Sequence, residues 1–289
     1  MERWYTPVCP MRILYAGLPS GALALRARGH EIALVLLARS DRASVRRLAD
    51  GGAAVLVDPD LADDDVLRIL ASARAQALVS FFWPRRLPAP ALGLAPVRLG
   101  VHPSLLPRHR GADPIFWTIL RGDTATGVSV HEVTEEIDAG KVLRQREIAV
   151  PPDATGGSLW RILRGLAILT LGEVVDVVAR GEGIEGRAQD GSLATAAPLP
   201  TDDDLEIRWD RPASEILRLV RAASPDPGAF SALGGETITI LAAGASARRL
   251  DPGDAIRFSD GIHVGTATTA IRLLRWEGSL GSLSRGPSS

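Results

Sequence analysis

The residues best suited to proton-transfer chemistry in this sequence are His102 and Asp138. His102 follows an apolar segment, residues 97–101, that is typical of a buried strand, and Asp138 opens an Asp-Ala-Gly turn 36 residues later. A neutral imidazole accepts a proton near neutral pH, and a carboxylate beside it orients the ring and stabilises the imidazolium. The two residues therefore predict a site that removes a proton from an attacking amine.

Taken singly, these residues also fit structural roles. A lone histidine at a strand end is often a hydrogen-bonded structural residue, and Asp-Ala-Gly is common in turns. Gly100, two residues before His102, by itself indicates only a close backbone approach or a tight strand end. The functional interpretation depends on the order of neighbouring motifs: a loop flanked by prolines after His102, then Arg110 and Gly111, then the turn at Asp138.

The elements that must position this pair form a regular alternation of strand-like and helix-like segments. Short connections join them, which predicts a doubly wound, mostly parallel sheet of the Rossmann-like α/β class, with ligands bound beyond the carboxyl ends of the strands. The predicted strands are residues 12–16, 31–37, 53–57, 77–82, 97–101, 126–133 and 142–148. The first predicted helix ends near residue 28. The others cover residues 43–50, 63–73, 114–121 and 158–180, and Ser158 is the predicted N-cap of the last one.

The second half of the chain predicts a smaller domain. Residues 182–204 are rich in Gly, Ala, Pro and Asp with little periodicity, which is typical of a linker. Residues 205–278 hold a helix near Pro212 and short strands at hairpin spacing, which predict a small OB-like β-barrel. These strands are residues 237–241, 255–258, 261–264 and 269–275. We expect residues 1–10 to be an N-terminal extension, residues 11–181 to form the α/β domain and residues 279–289 to be a disordered tail.

Composition narrows the class of protein. Apolar residues make up 46% of the 289 residues and aromatic residues only 4%, as in parallel strands covered by helices. The net charge of −1 provides no general attraction for nucleic acid or anionic lipid. The single cysteine, Cys9, excludes an intramolecular disulfide, and no His/Cys cluster has zinc spacing. No segment predicts a signal peptide or a membrane span, so we expect a soluble cytoplasmic protein without a metal.

Residues 100–140 resemble the signature of the folate-dependent formyltransferase family, which includes methionyl-tRNA and amino-sugar N-formyltransferases. The matching residues are Ser104-Leu105-Leu106-Pro107, Arg110-Gly111, Pro114, Trp117, Gly122, Thr126-Gly127-Val128 and Asp138-Ala139-Gly140. The order of strands up to residue 148 is also similar. The C-terminal part adds Trp209, Pro212, Ala229-Phe230 and Gly261, so the resemblance covers nearly the whole chain.

The resemblance implies a transfer reaction. It implies 10-formyltetrahydrofolate as donor co-substrate, a primary amine as acceptor, His102 as the base and Asp138 as its partner. The residues that would border the donor are Phe82, Trp83, Ser104, Leu105, Leu106, Pro107 and Gly140. Arg85 and Arg110 are candidate contacts for the acceptor, for example for a phosphate of a nucleotide sugar.

Gly100 departs from the family pattern. In the family an Asn two residues before the histidine polarises the formyl group, whereas this chain has Gly100 there and no Asn at any position. Losing one oxyanion donor typically costs about 10²- to 10³-fold in rate, so His102 and Asp138 can still support a slow transferase. A backbone N–H, a water or protonated His102 are candidate replacement donors, and Gly100→Asn is expected to raise the transfer rate. Two alternatives stay open: redirected one-carbon chemistry such as hydrolysis of the formyl donor, and a non-catalytic protein that binds folate or a nucleotide.

The acceptor is predicted from charge. The tRNA-specific branch of the family carries a basic insertion after its second strand, but here residues 37–46 run directly from strand to helix and residues 182–204 are acidic. The sequence therefore favours a nucleotide amino sugar over tRNA, without excluding tRNA. A homodimer is compatible with the sequence.

Overall fold

The computed structural model describes residues 9–39, 42–280 and 283–285. The chain divides into two compact units. The first contains the chain up to Ala112 together with Gly127–Glu147 and Leu163–Ala196, and the second contains Asp113–Thr126, Ile148–Ile162 and the chain from Ala197 onwards. The predicted extension at residues 1–10 lies outside the described residues except for Cys9 and Pro10, which are exposed.

A seven-stranded sheet forms the framework of the first unit. Its strands are β1 Arg12–Gly17, β2 Glu31–Leu37, β3 Ala54–Val57, β4 Ala77–Phe81, β5 Val97–His102, β6 Ala125–Glu132 and β7 Val142–Ala149. They lie side by side in the order β3-β2-β1-β4-β5-β6-β7. Strands β1 to β5 are parallel, and β6 is antiparallel to β5.

Helices connect these strands, and a further long helix follows β7. They are α1 Pro19–Ala27, α2 Arg42–Ala49, α3 Asp64–Ser72, α4 Ala89–Leu92, α5 Pro114–Arg121 and α6 Gly156–Ala179. Helix α5 shows why they begin and end where they do. Asp113 Oδ1 accepts the N–H of Phe116 at 3.0 Å at its start, and Gly122, with a φ of 74°, ends it in the left-handed conformation.

The central strands are apolar on both faces because they are covered on both sides. Leu14, Tyr15 and Leu78 are almost completely buried. Strand order turns back between β1 and β4, and there a Cβ on Gly17 would lie 1.9 Å from the carbonyl oxygen of Phe81. The close approach of the two backbones therefore requires glycine at the edge of the sheet where this fold class binds ligands.

A six-stranded sheet dominates the second unit. Its strands are β8 Ala229–Leu233, β9 Glu236–Ala245, β10 Ala255–Phe258, β11 Gly261–Val264, β12 Ile271–Glu277 and β13 Ser284–Arg285. They lie in the order β13-β10-β11-β12-β9-β8 and are antiparallel apart from the β10–β13 pair. Helices α7 Asp202–Leu205 and α8 Ala213–Ala223 belong to the same unit.

The predicted fold class is confirmed: a Rossmann-like, mostly parallel sheet with helices, and a curled C-terminal sheet in place of a closed barrel. Most predicted bounds agree with the structure within two residues, although β8 and α4 were not predicted. The predicted N-cap of the long helix is wrong. Helix α6 begins at Gly156, because Thr155 and Ser158 each accept the other's backbone N–H, at 3.2 and 2.9 Å.

The predicted linker and tail contain more regular structure than their composition indicated. Within residues 182–204, Gly191–Leu193 forms a 3₁₀ turn and Arg187 exchanges two backbone hydrogen bonds of 2.9 Å with Val142. In the predicted disordered tail, Ser284 and Arg285 form β13 because they pair with β10. The domain boundaries themselves stay a prediction.

Candidate active site

His102 is the last residue of β5, which lies between β4 and β6 in the sheet. Its side chain is about 6% exposed. Because β4 and β5 are parallel, the residues that follow them, 82–85 and 103–111, meet at one edge of the sheet. This edge is the expected position of a ligand site in a doubly wound sheet.

The structure brings His102 and Asp138 into contact. His102 Nδ1 lies 3.4 Å from Asp138 Oδ2, and His102 Nε2 lies 2.7 Å from the carbonyl oxygen of His109. Because a carbonyl oxygen only accepts hydrogen bonds, we assign the ring hydrogen to Nε2. Nδ1 is then the nitrogen of His102 that can take up a proton, and it faces the carboxylate.

Asp138 is held in an unusual backbone conformation. Its φ is 53°, in the left-handed region that aspartate tolerates better than most residues. Its Oδ2 atom accepts the backbone N–H of Gly111 at 2.9 Å. The predicted turn therefore orients the carboxylate toward the histidine loop.

Gln189 fixes this turn, although it lies in the segment predicted to be a linker. Its Nε2 atom donates to the carbonyl oxygens of Asp138 and Gly140, both at 2.7 Å. Its Oε1 atom accepts from Arg110 Nε and Nη2 at 3.1 and 2.8 Å. Gly140 is required at its position because a Cβ there would lie 1.9 Å from the carbonyl oxygen of Glu132.

A second histidine, His131, lies on the other side of Asp138. Its Nε2 atom is 3.5 Å from Asp138 Oδ1, and its Nδ1 atom is 2.8 Å from the carbonyl oxygen of Glu132. Burial lowers the pKa of His131 below its ordinary value, although the Asp138 carboxylate acts in the opposite direction. Asp138 thus lies between two imidazoles.

Gly100 and His131 are direct partners across β5 and β6. A Cβ on Gly100 would lie 2.6 Å from His131 Nε2, 2.8 Å from His131 Cε1 and 3.0 Å from Val133 Cγ2. The imidazole therefore occupies the space into which a side chain at residue 100 would extend.

Hydrogen bonds to residues outside it hold the loop of residues 104–107 in place. Ser104 is fully buried, and its hydroxyl donates to the carbonyl oxygen of Arg108 at 2.6 Å. Leu106 is also buried, and its backbone N–H donates to Ser129 Oγ on β6 at 3.1 Å. Leu105 and Pro107 are partly exposed. Of these four loop residues, all predicted to border the donor, only Leu105 and Pro107 have surface available for it.

A cleft of about 630 Å³ opens after β3 and β4. Its lining includes Asp58, Leu61, Arg85, Arg86, Leu87 and Glu135. Arg85 forms an ion pair with Asp58 inside this cleft. Arg110 instead binds Gln189, so the two arginines predicted to contact the acceptor have different partners.

The predicted aromatic residues follow β4. Trp83 is 9% exposed and belongs to a cluster of buried side chains with Leu61 and Leu87. Phe82 is partly buried, has a φ of 53° and packs on Phe81 with ring centres 4.4 Å apart. Trp83 therefore lies in the core behind the cleft wall, whereas Phe82 retains some exposed surface.

The described residues hold neither a metal-binding cluster nor a membrane-spanning helix. Over residues 9–39, 42–280 and 283–285, no group of three or more His, Cys, Asp or Glu side chains is arranged to hold a metal ion. None of the helices in those ranges combines the length and the apolar character that crossing a bilayer requires.

The sequence was then compared with known proteins. Residues 25–175 match the family described as "Formyl transferase", and residues 201–279 match "Formyl transferase, C-terminal domain". The chain belongs to the formyl transferase family. It is 32% identical to the methionyl-tRNA formyltransferase of Desulfotalea psychrophila over 90% of this chain and 86% of that protein. It is 36% identical to a methionyl-tRNA formyltransferase of Chloroflexus aurantiacus over 91% of each chain.

Solved structures show the same fold at lower identity. An N-formyltransferase from Helicobacter canadensis, in complex with folinic acid and dTDP-3-aminofucose, matches 92% of this formyl transferase chain and all of its own, with a TM-score of 0.72 and 12% identity. HypX from Aquifex aeolicus, in complex with tetrahydrofolic acid, matches 92% of this chain and 44% of its own, with a TM-score of 0.69 and 21% identity.

Two polar residues of this candidate site, His131 and Gln189, were not predicted from the sequence. His131 lies in the predicted strand 126–133, which also holds the polar residues Ser129 and Glu132. Its residue type, a histidine seven residues before Asp138, is the signal that could have found it. Gln189 carries no such signal, because nothing in the composition of residues 182–204 distinguishes it.

Proposed function

We propose that this protein transfers a formyl group from a formyl-folate donor to a primary amine. The main support is the contact of 3.4 Å between His102 and Asp138 at the carboxyl edge of a formyl transferase sheet. An amine must lose a proton as it is acylated, and an imidazole next to a carboxylate is suited to accept that proton.

In the proposed reaction, the proton removed from the amine is returned to the donor nitrogen. The amine nitrogen attacks the formyl carbon, the C=O electron pair moves to the oxygen, and the amine proton passes to the histidine–aspartate pair. When the C=O bond forms again, the bond from the formyl carbon to the folate nitrogen breaks. That nitrogen then takes the proton, which leaves the pair ready for another cycle.

The cleft after β3 and β4 is suited to the donor. Its volume of about 630 Å³ lies within the usual range for small-molecule sites, about 300–1,000 Å³. Leu61 and Leu87 provide apolar surface for a pterin ring, and Arg86 provides a positive charge for the donor's carboxylates, whereas Arg85 is already paired with Asp58. The folate ligands named for the Helicobacter and Aquifex proteins support the same donor class.

Methionyl-tRNA is the first acceptor to test. The proteins 32–36% identical over nearly the whole chain are methionyl-tRNA formyltransferases, and this chain has both of the family's domains. A small amino sugar is the second candidate. It is favoured by the charge of residues 205–278, where nine arginines are balanced by nine acidic residues, so that a phosphate backbone meets no net positive charge.

The test offers 10-formyltetrahydrofolate to the full chain with methionyl-tRNA, with dTDP-3-aminofucose, or with no acceptor. We expect one of the acceptors to gain a formyl group, detected by mass spectrometry, as tetrahydrofolate is released. Release without an acceptor would instead indicate donor hydrolysis. No turnover combined with calorimetric binding of folinic acid would indicate a binding protein, and neither turnover nor binding would reject the proposal.

A further inference from the structure

His131 fills space that a side chain at residue 100 would need. The nearest ring atom, Nε2, lies only 2.6 Å from the position that a Cβ on Gly100 would take. The same nitrogen is 3.5 Å from Asp138 Oδ1. Gly100 thus permits an imidazole to approach the carboxylate that also contacts His102.

Hydrogen bonding determines which nitrogens of the two rings face Asp138. His131 Nδ1 lies 2.8 Å from the Glu132 carbonyl oxygen, and His102 Nε2 lies 2.7 Å from the His109 carbonyl oxygen. Each of these nitrogens must carry its ring's hydrogen, because the carbonyls only accept. In the neutral rings, His131 Nε2 and His102 Nδ1 are therefore both without hydrogen, and both face the carboxylate.

A cluster of two bare nitrogens and one carboxylate is unfavourable without a proton. One added proton makes one ring an imidazolium, which balances the charge of Asp138 and leaves the other ring neutral. Burial, together with the positive charges of His102 and Arg110, lowers the pKa of His131, while Asp138 and the Glu132 carbonyl raise it. The net direction is downward, which favours the neutral form of His131, whose bare Nε2 atom can then accept a proton.

We propose that His131 is a further catalytic residue, whose Nε2 atom, beside the Asp138 carboxylate, accepts the proton of the attacking amine. This inference rests on the proposed function and refines its proton-accepting pair. The amine proton forms the Nε2–H bond of His131 as the carbon–nitrogen bond to the acceptor forms. The same proton then passes to the donor nitrogen when its bond to the formyl carbon breaks.

The pH dependence of matched glutamine variants tests the assignment. A neutral His131 predicts that transfer by the wild type rises with pH, with a midpoint below 6.5, the ordinary pKa of histidine. We expect His131→Gln to lower kcat about 10²-fold or more, with little change in the KM for the donor, and to abolish this rise. His102→Gln should also lower kcat but keep the rise. If His102→Gln abolishes it and His131→Gln keeps it, His102 is the acceptor and the inference fails, although the proposed function stands.

A second measurement does not require turnover. Nitrogen-15 NMR of the histidine-labelled full chain, with His131 identified by its loss in His131→Gln, should show hydrogen on Nδ1 and none on Nε2 at pH 7. The opposite tautomer, or an imidazolium at His131, would overturn the inference even if no acceptor is found. Gly100→Ala should perturb these signals, because its Cβ meets the ring, and Gly165→Ala should not, because no atom lies within 4 Å of its Cβ position.

Discussion

Two buried histidine–aspartate sites lie in the described part of the first unit, and their hydrogen bonds differ in kind. In one, His30 Nδ1 accepts the backbone N–H of Met11 at 3.4 Å, and His30 Nε2 lies 3.0 Å from Asp176 Oδ1. Nε2 therefore carries the ring hydrogen and donates it to the carboxylate. In the other, His102 and His131 direct their ring hydrogens to backbone carbonyls and present bare nitrogens to Asp138.

This difference separates a structural contact from a reactive one. Both ring nitrogens of His30 have hydrogen-bond partners, and Asp176 is also bound by Arg28. The cluster at Asp138 is satisfied only when it holds an extra proton, so it can gain and lose that proton during a reaction. Histidine–aspartate proximity is common to both, and the direction of the hydrogen bonds distinguishes them.

The largest expected effect compares the two carboxylates. Asp138→Asn should lower the transfer rate by about 10²- to 10⁴-fold, because the site loses the charge that holds its proton. Asp176→Asn should leave the rate unchanged and lower the free energy of unfolding by about 1–3 kcal/mol, since it weakens charged hydrogen bonds to Arg28 and His30. Steady-state kinetics of both variants measures the transfer rate, and urea unfolding measures the free energy of unfolding. Equal losses of activity would remove the distinction between the two contacts.

Gly100→Asn sharpens the comparison at the second histidine. The sequence predicted a faster enzyme, but the structure predicts that the new side chain displaces His131 and slows transfer about tenfold or more. Adding His131→Ala clears the space for the amide. The double variant should then exceed His131→Ala alone, by up to about 10²-fold, because it gains an oxyanion donor.

The control for this series is Gly165→Ala, which lies outside the site and meets no atom within 4 Å. It should retain full activity. A rate increase in Gly100→Asn alone would show that the imidazole moves aside without cost. The prediction that a side chain at residue 100 slows transfer by displacing His131 would then be wrong.

Gln189→Ala tests how firmly the Asp138 turn must be held. The variant loses two bonds to the turn and both contacts with Arg110, so we expect kcat to fall about tenfold through misplacement of the carboxylate. Gln76→Ala is the matched control, because Gln76 accepts the backbone N–H of Arg12 at an exposed position. Equal rates for the two variants would mean that the turn holds Asp138 without Gln189.

The smallest effect is a pH dependence of stability at Asp176. Burial alone would raise the pKa of this carboxyl, but hydrogen bonds and charges from Arg28 and His30 outweigh it and lower the pKa below 3.8. The stabilisation is therefore present above the unfolded-state pKa and is lost as pH falls through the folded-state pKa. Urea unfolding should show the difference between wild type and Asp176→Asn shrinking below about pH 4. A constant difference down to pH 2 would contradict this assignment.

The sequence by itself determined the elements and the first two members of the site. Strand and helix periodicity depends on neighbouring residues, so β2, α5, β10 and β11 were predicted to the residue. His102 and Asp138 were found because each follows a local motif, and their contact follows from the carboxyl ends of strands meeting at one edge. Ser158 was wrongly predicted as the N-cap because Thr155 and Ser158 are both residue types that cap helices. Only the folded backbone shows that Thr155 precedes the helix.

Only the tertiary structure decided the chemistry around that pair. The opposition of Gly100 and His131 depends on the register of β5 against β6, and the reach of Gln189 depends on a segment 51 residues from Asp138. Which nitrogen carries hydrogen depends on carbonyl groups fixed by the folded backbone. These are contacts between residues far apart in the chain, and no local pattern of residue types contains them, because the pairing energy of the whole sheet sets their register.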